Sequence, residues 1–183
     1  MTENLINKLT HEEIHSARPL PAEVIAGAKF PVTVVLENIR SLYNVGSIFR
    51  TSDGAAIEKL YLCGYTGHPP RKEIDKTALG SVDCINWVHS PDTAGVISSL
   101  KKEGYEIICL EHTDRSEPYD RTVYDRPLCL VLGNEVDGVT QETISLCDRA
   151  IEIPMHGVKQ SLNVAVAYGI AVYHIVRNSS VKR

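Results

Sequence analysis

Three short stretches of the chain carry residue types able to hold a ligand and act on it. The first runs from Asn38 to Gly54 and contains Asn44 and Arg50. On a helix, Val45, Ile48, Phe49, Ser52, Ala55 and Ala56 share one face, and Arg50 points the other way with Gly46 one turn before it and Gly54 one turn after. Arg50 would then stand over bare backbone. An exposed arginine is usually only solvated; its setting gives this one chemical interest. Asn44 is placed to cap a helix that follows a buried strand directly, where unpaired N–H groups and the carboxyl ends of parallel strands form ligand crevices. The second stretch, Leu128-Cys129-Leu130-Val131-Leu132-Gly133-Asn134-Glu135, opens with five apolar residues in a row, meets a glycine and continues as a polar turn reaching Gly138. Gly133 is expected to let backbone approach a ligand closely at the strand end, although Gly, Asn and Asp also suit an ordinary turn. The third runs from Ile151 to Ala167: Pro154 stops a strand, Gly157 turns the chain, and Ser161 is placed to cap the next helix.

These stretches need a scaffold, and the periodicity supplies one. From Val32 onward β-branched runs alternate with longer amphipathic segments, the pattern of an α/β domain with a parallel sheet covered by helices. Strands are predicted near 32–36, 59–63, 105–109, 128–132 and 149–153, with a weaker one near 84–88; helices are predicted near 44–57, 91–103, 140–147 and 161–177. Residues 3–16 have helical composition, with Leu5, Ile6 and Leu9 on one side, and Arg18-Pro19-Leu20-Pro21 ends that helix, so residues 1–30 read as an N-terminal helical arm and 31–183 as one domain. The segments 64–78 and 111–126 read as long irregular loops, which in a compact domain are usually functional.

Composition narrows the function. With 183 residues, 43% hydrophobic and 23% charged, the chain suits one folded domain and argues against disorder, collagen or coiled coil. Nineteen Lys and Arg against 23 Asp and Glu give a net charge of -4, so any contact with nucleic acid must be local. The longest apolar run, Val164 to Tyr173, is too short for a bilayer, and the first residues lack a basic region followed by an apolar one; no membrane association and a cytoplasmic location are expected. The 5 cysteines never occur as C-x-x-C, and Cys63, Cys109 and Cys129 sit in predicted strands, which favours buried thiols over a metal or redox site. No G-x-G-x-x-G fingerprint supports a Rossmann enzyme, and no phosphate-binding glycine loop supports a flavodoxin-like protein.

In this order, the Asn44 to Arg50 spacing, the run Leu132-Gly133-Asn134-Glu135 and the pairing of Ile153-Pro154-Met155 with Ser161-Leu162-Asn163 resemble the motifs of the SpoU/TrmH family of RNA ribose 2′-O-methyltransferases, in the SPOUT superfamily. The resemblance covers about 32–177. It implies an α/β fold with a C-terminal trefoil knot, S-adenosyl-L-methionine as cofactor, tRNA or rRNA as substrate, and a homodimer. By match, Leu110, Leu132, Gly133, Ile153, Met155 and Leu162 line the cofactor site, and Arg50, Asn44, Glu135, Ser161 and Asn163 form the catalytic set. The family assigns proton removal from the ribose hydroxyl to the arginine matched by Arg50. Because guanidinium is very hard to deprotonate, a second role stays open, in which Arg50 holds the RNA phosphate while the proton leaves by another route.

A local basic surface for RNA is expected from Arg40, Arg71, Lys72, Lys76, Arg115 and Lys159, with Arg121 and Arg126 nearby in sequence. The last helix, apolar nearly all round, is expected to bury a stripe of Val164, Tyr168, Ala171, Val172 and Ile175 against a second subunit. Two rivals remain: an RNA-binding relative that has lost catalysis, against which all five catalytic matches count, and a SPOUT enzyme acting on a base nitrogen, which the Ser161-Leu162-Asn163 stretch fits less well.

Overall fold

The computed structural model describes residues 6–179. Among these, seven strands form one sheet in the order β3-β2-β1-β6-β4-β7-β5, and every neighbouring pair is parallel. In chain order the elements are α1 (His11–Ser16), α2 (Pro21–Ala26), β1 (Phe30–Glu37), α3 (Leu42–Gly54), β2 (Ile57–Cys63), α4 (Lys72–Ala78), a 3₁₀ turn (Ser81–Cys84), β3 (Asn86–Ser90), α5 (Thr93–Lys102), β4 (Glu106–Leu110), β5 (Glu117–Pro118), β6 (Leu128–Leu132), α6 (Gln141–Leu146), β7 (Arg149–Glu152) and α7 (Val164–Asn178).

The central strands are apolar because both faces of the sheet are covered. Val34, Leu36, Leu60, Leu62, Ile108, Leu130 and Leu132 pack with α3 and α7 into one core, while Val35, Cys63, Ile107, Cys109, Cys129 and Val131 pack beneath Ile97 and Leu100 of α5 on the other side. Strand β6 lies between β1 and β4, with Leu36 paired to Leu132 and Cys109 to Val131. The carboxyl ends of β1, β6, β4 and β7 therefore lie side by side. Cys63, Cys109 and Cys129 are buried thiols in strands, and the five cysteines are unbridged.

Several elements depart from the sequence reading. The segment 64–78 is not wholly irregular: α4 occupies its second half, burying only Ile74 and Ala78. Likewise β5 interrupts 111–126 and pairs with β7. In the arm the helix begins at His11, where Thr10 and Glu13 form a reciprocal capping box, so Ile6 and Leu9 lie outside it and Leu5 lies outside the described residues. Pro21 opens α2 instead of ending a helix, since the first helical position needs no N–H partner.

The last helix shows the largest reversal. Tyr168, Ala171, Val172 and Ile175 do not face outward; they are fully buried in this chain's own core, where the Tyr168 hydroxyl lies 2.8 Å from Ser52 Oγ of α3. An apolar residue on every side of a helix does not reveal which side meets the sheet. The outward stripe is Val166, Ile170 and Tyr173.

Candidate active site

Glu135 organises the site. Its carboxylate accepts hydrogen bonds from Arg40 N (2.9 Å), Ser41 N (3.0 Å) and Asn44 Nδ2 (2.8 Å), so the turn after β6 is fastened to the start of α3. Burial alone would raise the Glu135 pKa, but the three donors together outweigh it and hold the carboxyl below its ordinary range. Asn44 was expected as the helix cap. Ser41 performs that role, accepting from Asn44 N at 3.3 Å, and the Asn44 side chain is left to bridge Glu135 on one side and Asn163 on the other.

Asn163 likewise displaces Ser161 as the cap of α7: its Oδ1 accepts from Ala165 N at 2.9 Å, and its Nδ2 donates to Asn44 Oδ1 at 3.1 Å. A short side-chain amide suits an N-cap and has a second polar atom left for a neighbour. Glu135, Asn44 and Asn163 thus form one hydrogen-bonded chain across three elements.

Beside this chain lies a cavity of about 320 Å³ at the carboxyl ends of β4, β6 and β7. All six positions matched to a cofactor site line it, namely Leu110, Leu132, Gly133, Ile153, Met155 and Leu162, together with Glu135, Ser161 and Asn163. Arg50 and Asn44 are not in its wall. Arg50 is exposed on α3, about 9 Å along the helix axis from Asn44, and makes no hydrogen bond or ion pair among the described residues. The backbone beneath it is not bare: Gly46 is buried against α4, where a Cβ would collide with Thr77 and Ile74, and a Cβ on Gly54 would come 2.7 Å from the Tyr173 hydroxyl.

Gly133 lines the cavity and has a further reason for lacking a side chain. A Cβ there would strike the backbone of Gly138 and Val139, so the missing side chain lets the 133–139 loop fold back on itself. Asn134 and Gly138 exchange backbone hydrogen bonds of 3.0 Å across that loop, and Gly138 adopts φ +70°, which favours glycine.

Sequence reasoning missed the polar groups that hold this loop. Asn134 Nδ2 donates to Asn38 O (2.9 Å) and lies 2.5 Å from the Tyr65 hydroxyl, while its Oδ1 accepts from Val136 N (2.7 Å) and Asp137 N (3.1 Å). Glu111 Oε2 accepts from Val139 N at 2.9 Å. Buried Glu37, at the end of β1, takes Thr140 N at 2.9 Å and the Thr140 and Thr143 hydroxyls. At the cavity edge Glu152 accepts from Ser116 Oγ (2.6 Å) and lies 3.1 Å from His112 Nδ1, contacts that hold its carboxyl below the ordinary range. A carboxylate at the carboxyl end of a buried strand, as at Glu37, or directly after it, as at Glu111, is the signal that could have found these two.

The basic candidates Arg40, Arg71, Lys72, Lys76, Arg115 and Lys159 are all exposed. Arg71, Lys72 and Lys76 gather on α4, Lys159 lies in the loop after β7, and Arg115 lies 4.0 Å from Asp114.

A parallel α/β sheet with a cavity at its central strand ends, walled by the glycine loop after β6 and the segment after β7, defines the class of ligand-binding domain to which this protein belongs. The model of the SpoU rRNA Methylase family matches residues 31–173, and the chain belongs to that family. It is 30% identical to the tRNA (guanosine(18)-2'-O)-methyltransferase of Escherichia coli strain K12 over 158 residues, covering 85% of this chain and 67% of that protein. It is 31% identical to the enzyme of the same name from Aquifex aeolicus over 164 residues, covering 87% of this chain and 75% of that one. Among solved structures, the A. aeolicus TrmH/SpoU tRNA modifying enzyme superposes with a TM-score of 0.78 at 29% identity, covering 86% of this chain and 80% of its own. The AdoMet-bound rRNA methyltransferase from Sinorhizobium meliloti superposes with a TM-score of 0.77 at 29% identity, covering 82% of this chain and 57% of that one.

Proposed function

We propose that this protein transfers a methyl group from S-adenosyl-L-methionine to a ribose 2′-hydroxyl of tRNA or rRNA. The observation that carries the reading is the contact of one cavity, lined by every position matched to the cofactor, with the hydrogen-bonded set Glu135, Asn44 and Asn163. The cavity suits the cofactor chemically. Leu110, Leu132, Ile153 and Leu162 offer apolar wall for an adenine ring, and Glu111, Glu135, Asp137 and Glu152 surround it with negative charge, which favours a ligand carrying a sulfonium and an ammonium. When bound there, S-adenosyl-L-methionine supplies an electrophilic methyl group. In-line displacement then requires the protein to align the ribose oxygen and assist loss of its proton. Asn163 and Ser161, at the cavity, are suited to orient the ribose, while Glu135 and Asn44 keep the loop and α3 in register. Arg50, exposed and without a partner among the described residues, is available to a phosphate or to the hydroxyl.

The same reading assigns residues 31–183 to the methyltransferase domain and residues 1–30 to a helical arm; it includes the trefoil knot of the family and a cytoplasmic location beside its RNA substrate. No described helix is long and apolar enough to cross a membrane. It also includes a homodimer, formed through Val166, Ile170 and Tyr173 of α7. The decisive experiment maps 2′-O-methylation in tRNA and rRNA from cells with and without the gene, followed by transfer with purified protein. Loss of one mark in the deletion, restored in vitro, is the expected result; unchanged maps would overturn the assignment.

A further inference from the structure

A second cavity lies away from the first, on the flank of the sheet formed by β3 and α4. It is lined by Trp87 of β3, Pro69, Pro70 and Val82, together with the acidic residues Asp75 and Asp83. Trp87 is held in place: Phe49 meets it edge-on at 6.2 Å and 86°, and His68 stacks with it at 6.2 Å and 26°, with His89 a further 4.5 Å from His68. The indole is nonetheless only partly buried. Neither Asp75 nor Asp83 makes a side-chain hydrogen bond or ion pair among the described residues, so both present unused acceptors. Arg71, Lys72 and Lys76 stand exposed on the adjoining turn and helix.

An indole wall, proline rings, carboxylate acceptors and neighbouring cations match the parts of one ligand. A planar base stacks on the aromatic ring, its donors meet the carboxylates, and its phosphate lies against the cations. Resting on the assignment of RNA as substrate, we propose that this slot captures an unpaired guanine of that RNA, distinct from the nucleotide that is methylated. Guanine is the base that presents two adjacent donors, N1–H and the 2-amino group, to a carboxylate. Adenine places an acceptor at N1, and uracil and cytosine each offer a single donor group on that edge. Strand β3 is three strands from β6, so the slot lies about 14 Å to the side of the methyl-transfer cavity, far enough to hold a different nucleotide.

Trp87 is the chain's 1 tryptophan, so its fluorescence reports on the slot alone. Titrating the full-length protein with guanosine monophosphate should quench that emission saturably. Inosine monophosphate, which lacks the 2-amino group, should bind about ten- to a hundredfold more weakly, as should adenosine monophosphate, because a lost bond to a charged acceptor carries about that factor. One of Asp83→Asn and Asp75→Asn, at the carboxylate that meets the base, should abolish the preference for guanosine over inosine while leaving weak, base-indifferent quenching, and a preference kept by both variants would overturn the slot. Calorimetric binding of S-adenosyl-L-methionine is measured on the same samples: its loss would count against the methyltransferase reading, whereas retained cofactor binding without guanosine-selective quenching would overturn the slot alone. Equal quenching by inosine and guanosine would overturn it as well. So would emission that changes with protein concentration before nucleotide is added, which would assign the face to self-association.

Discussion

Asn44 and Glu135 are joined by a 2.8 Å hydrogen bond that closes the turn after β6 onto the first turn of α3. The two residues lie 91 positions apart in sequence, so the bond links the glycine loop of the cavity to the helix that carries Arg50. Glu135 receives two further N–H donors, and glutamine in its place keeps the shape but offers one oxygen instead of two, setting an NH₂ group against a backbone N–H.

Glu135→Gln should therefore destabilise the protein by about 1 kcal/mol at neutral pH. The pH dependence has a definite sign. Because the folded carboxyl titrates below the ordinary glutamate value, its stabilisation is complete above that value, about 4.3, and is lost as pH falls through the lower folded value. Denaturation of both proteins from pH 7 to pH 3 should show a gap that is constant at the upper end and closes at the lower end. A gap that persists undiminished at pH 3 would remove the charge from the explanation.

Gly133→Ala should cost about 1–3 kcal/mol, since the new methyl group meets backbone at Gly138 and Val139, which cannot rotate away as a side chain would. The loop must open, so cofactor affinity should fall together with the melting temperature. A substitution that lowered affinity while leaving stability untouched would restore the simpler idea that Gly133 makes room only for the ligand. Melting curves with and without S-adenosyl-L-methionine, alongside calorimetry, separate the two.

The difference between those two accounts of Gly133 marks what the sequence could show. Apolar runs such as Val32 to Leu36 and Leu128 to Leu132 make strands recognisable because both of their faces are covered. The order of those strands leaves no local trace, and it is the insertion of β6 between β1 and β4 that brings Glu135 beside Asn44. Helix α4 escaped notice because seven residues with two buried positions give too little periodicity. The cap positions at Asn44 and Ser161 were each misplaced by a nearby competitor, Ser41 and Asn163, whose side chain reaches an unpaired N–H first. The six cofactor positions came from family resemblance, whereas the carboxylates Glu37 and Glu111 that hold the surrounding loops resemble ordinary surface acids until their backbone partners are seen.

The outward face of α7 provides a test of assembly. Val166 and Tyr173 are about half exposed and Ile170 lies between them, while Ile175 is fully buried within the chain. Ile170→Asp should yield a folded monomer of about half the wild-type mass by light scattering, with an unchanged far-ultraviolet spectrum, because a charge is costly in an apolar contact and harmless in water. Ile175→Asp should instead unfold or aggregate the chain. Identical masses for wild type and Ile170→Asp would exclude this face as the contact.

Arg50 permits the sharpest functional test, because cofactor binding, RNA binding and methyl transfer can each be measured on one variant. Its side chain is exposed and absent from the cavity wall, so Arg50→Ala should bind S-adenosyl-L-methionine with nearly wild-type affinity. Single-turnover methylation should fall by at least about a hundredfold, the scale on which general acid–base groups act. Arg50→Lys then distinguishes the two roles. Lysine keeps the charge and deprotonates more readily, but it lacks the planar fork that grips phosphate with two parallel bonds. Substantial recovery of rate in Arg50→Lys, with the pH profile displaced to lower pH, would support proton removal at this position. A variant that still binds RNA yet stays inactive at every pH would support positioning of the phosphate, since the lost contribution would then be geometric. Full activity in Arg50→Ala would leave the residue as a solvated surface arginine and transfer the proton step to the groups around Asn163 and Glu135.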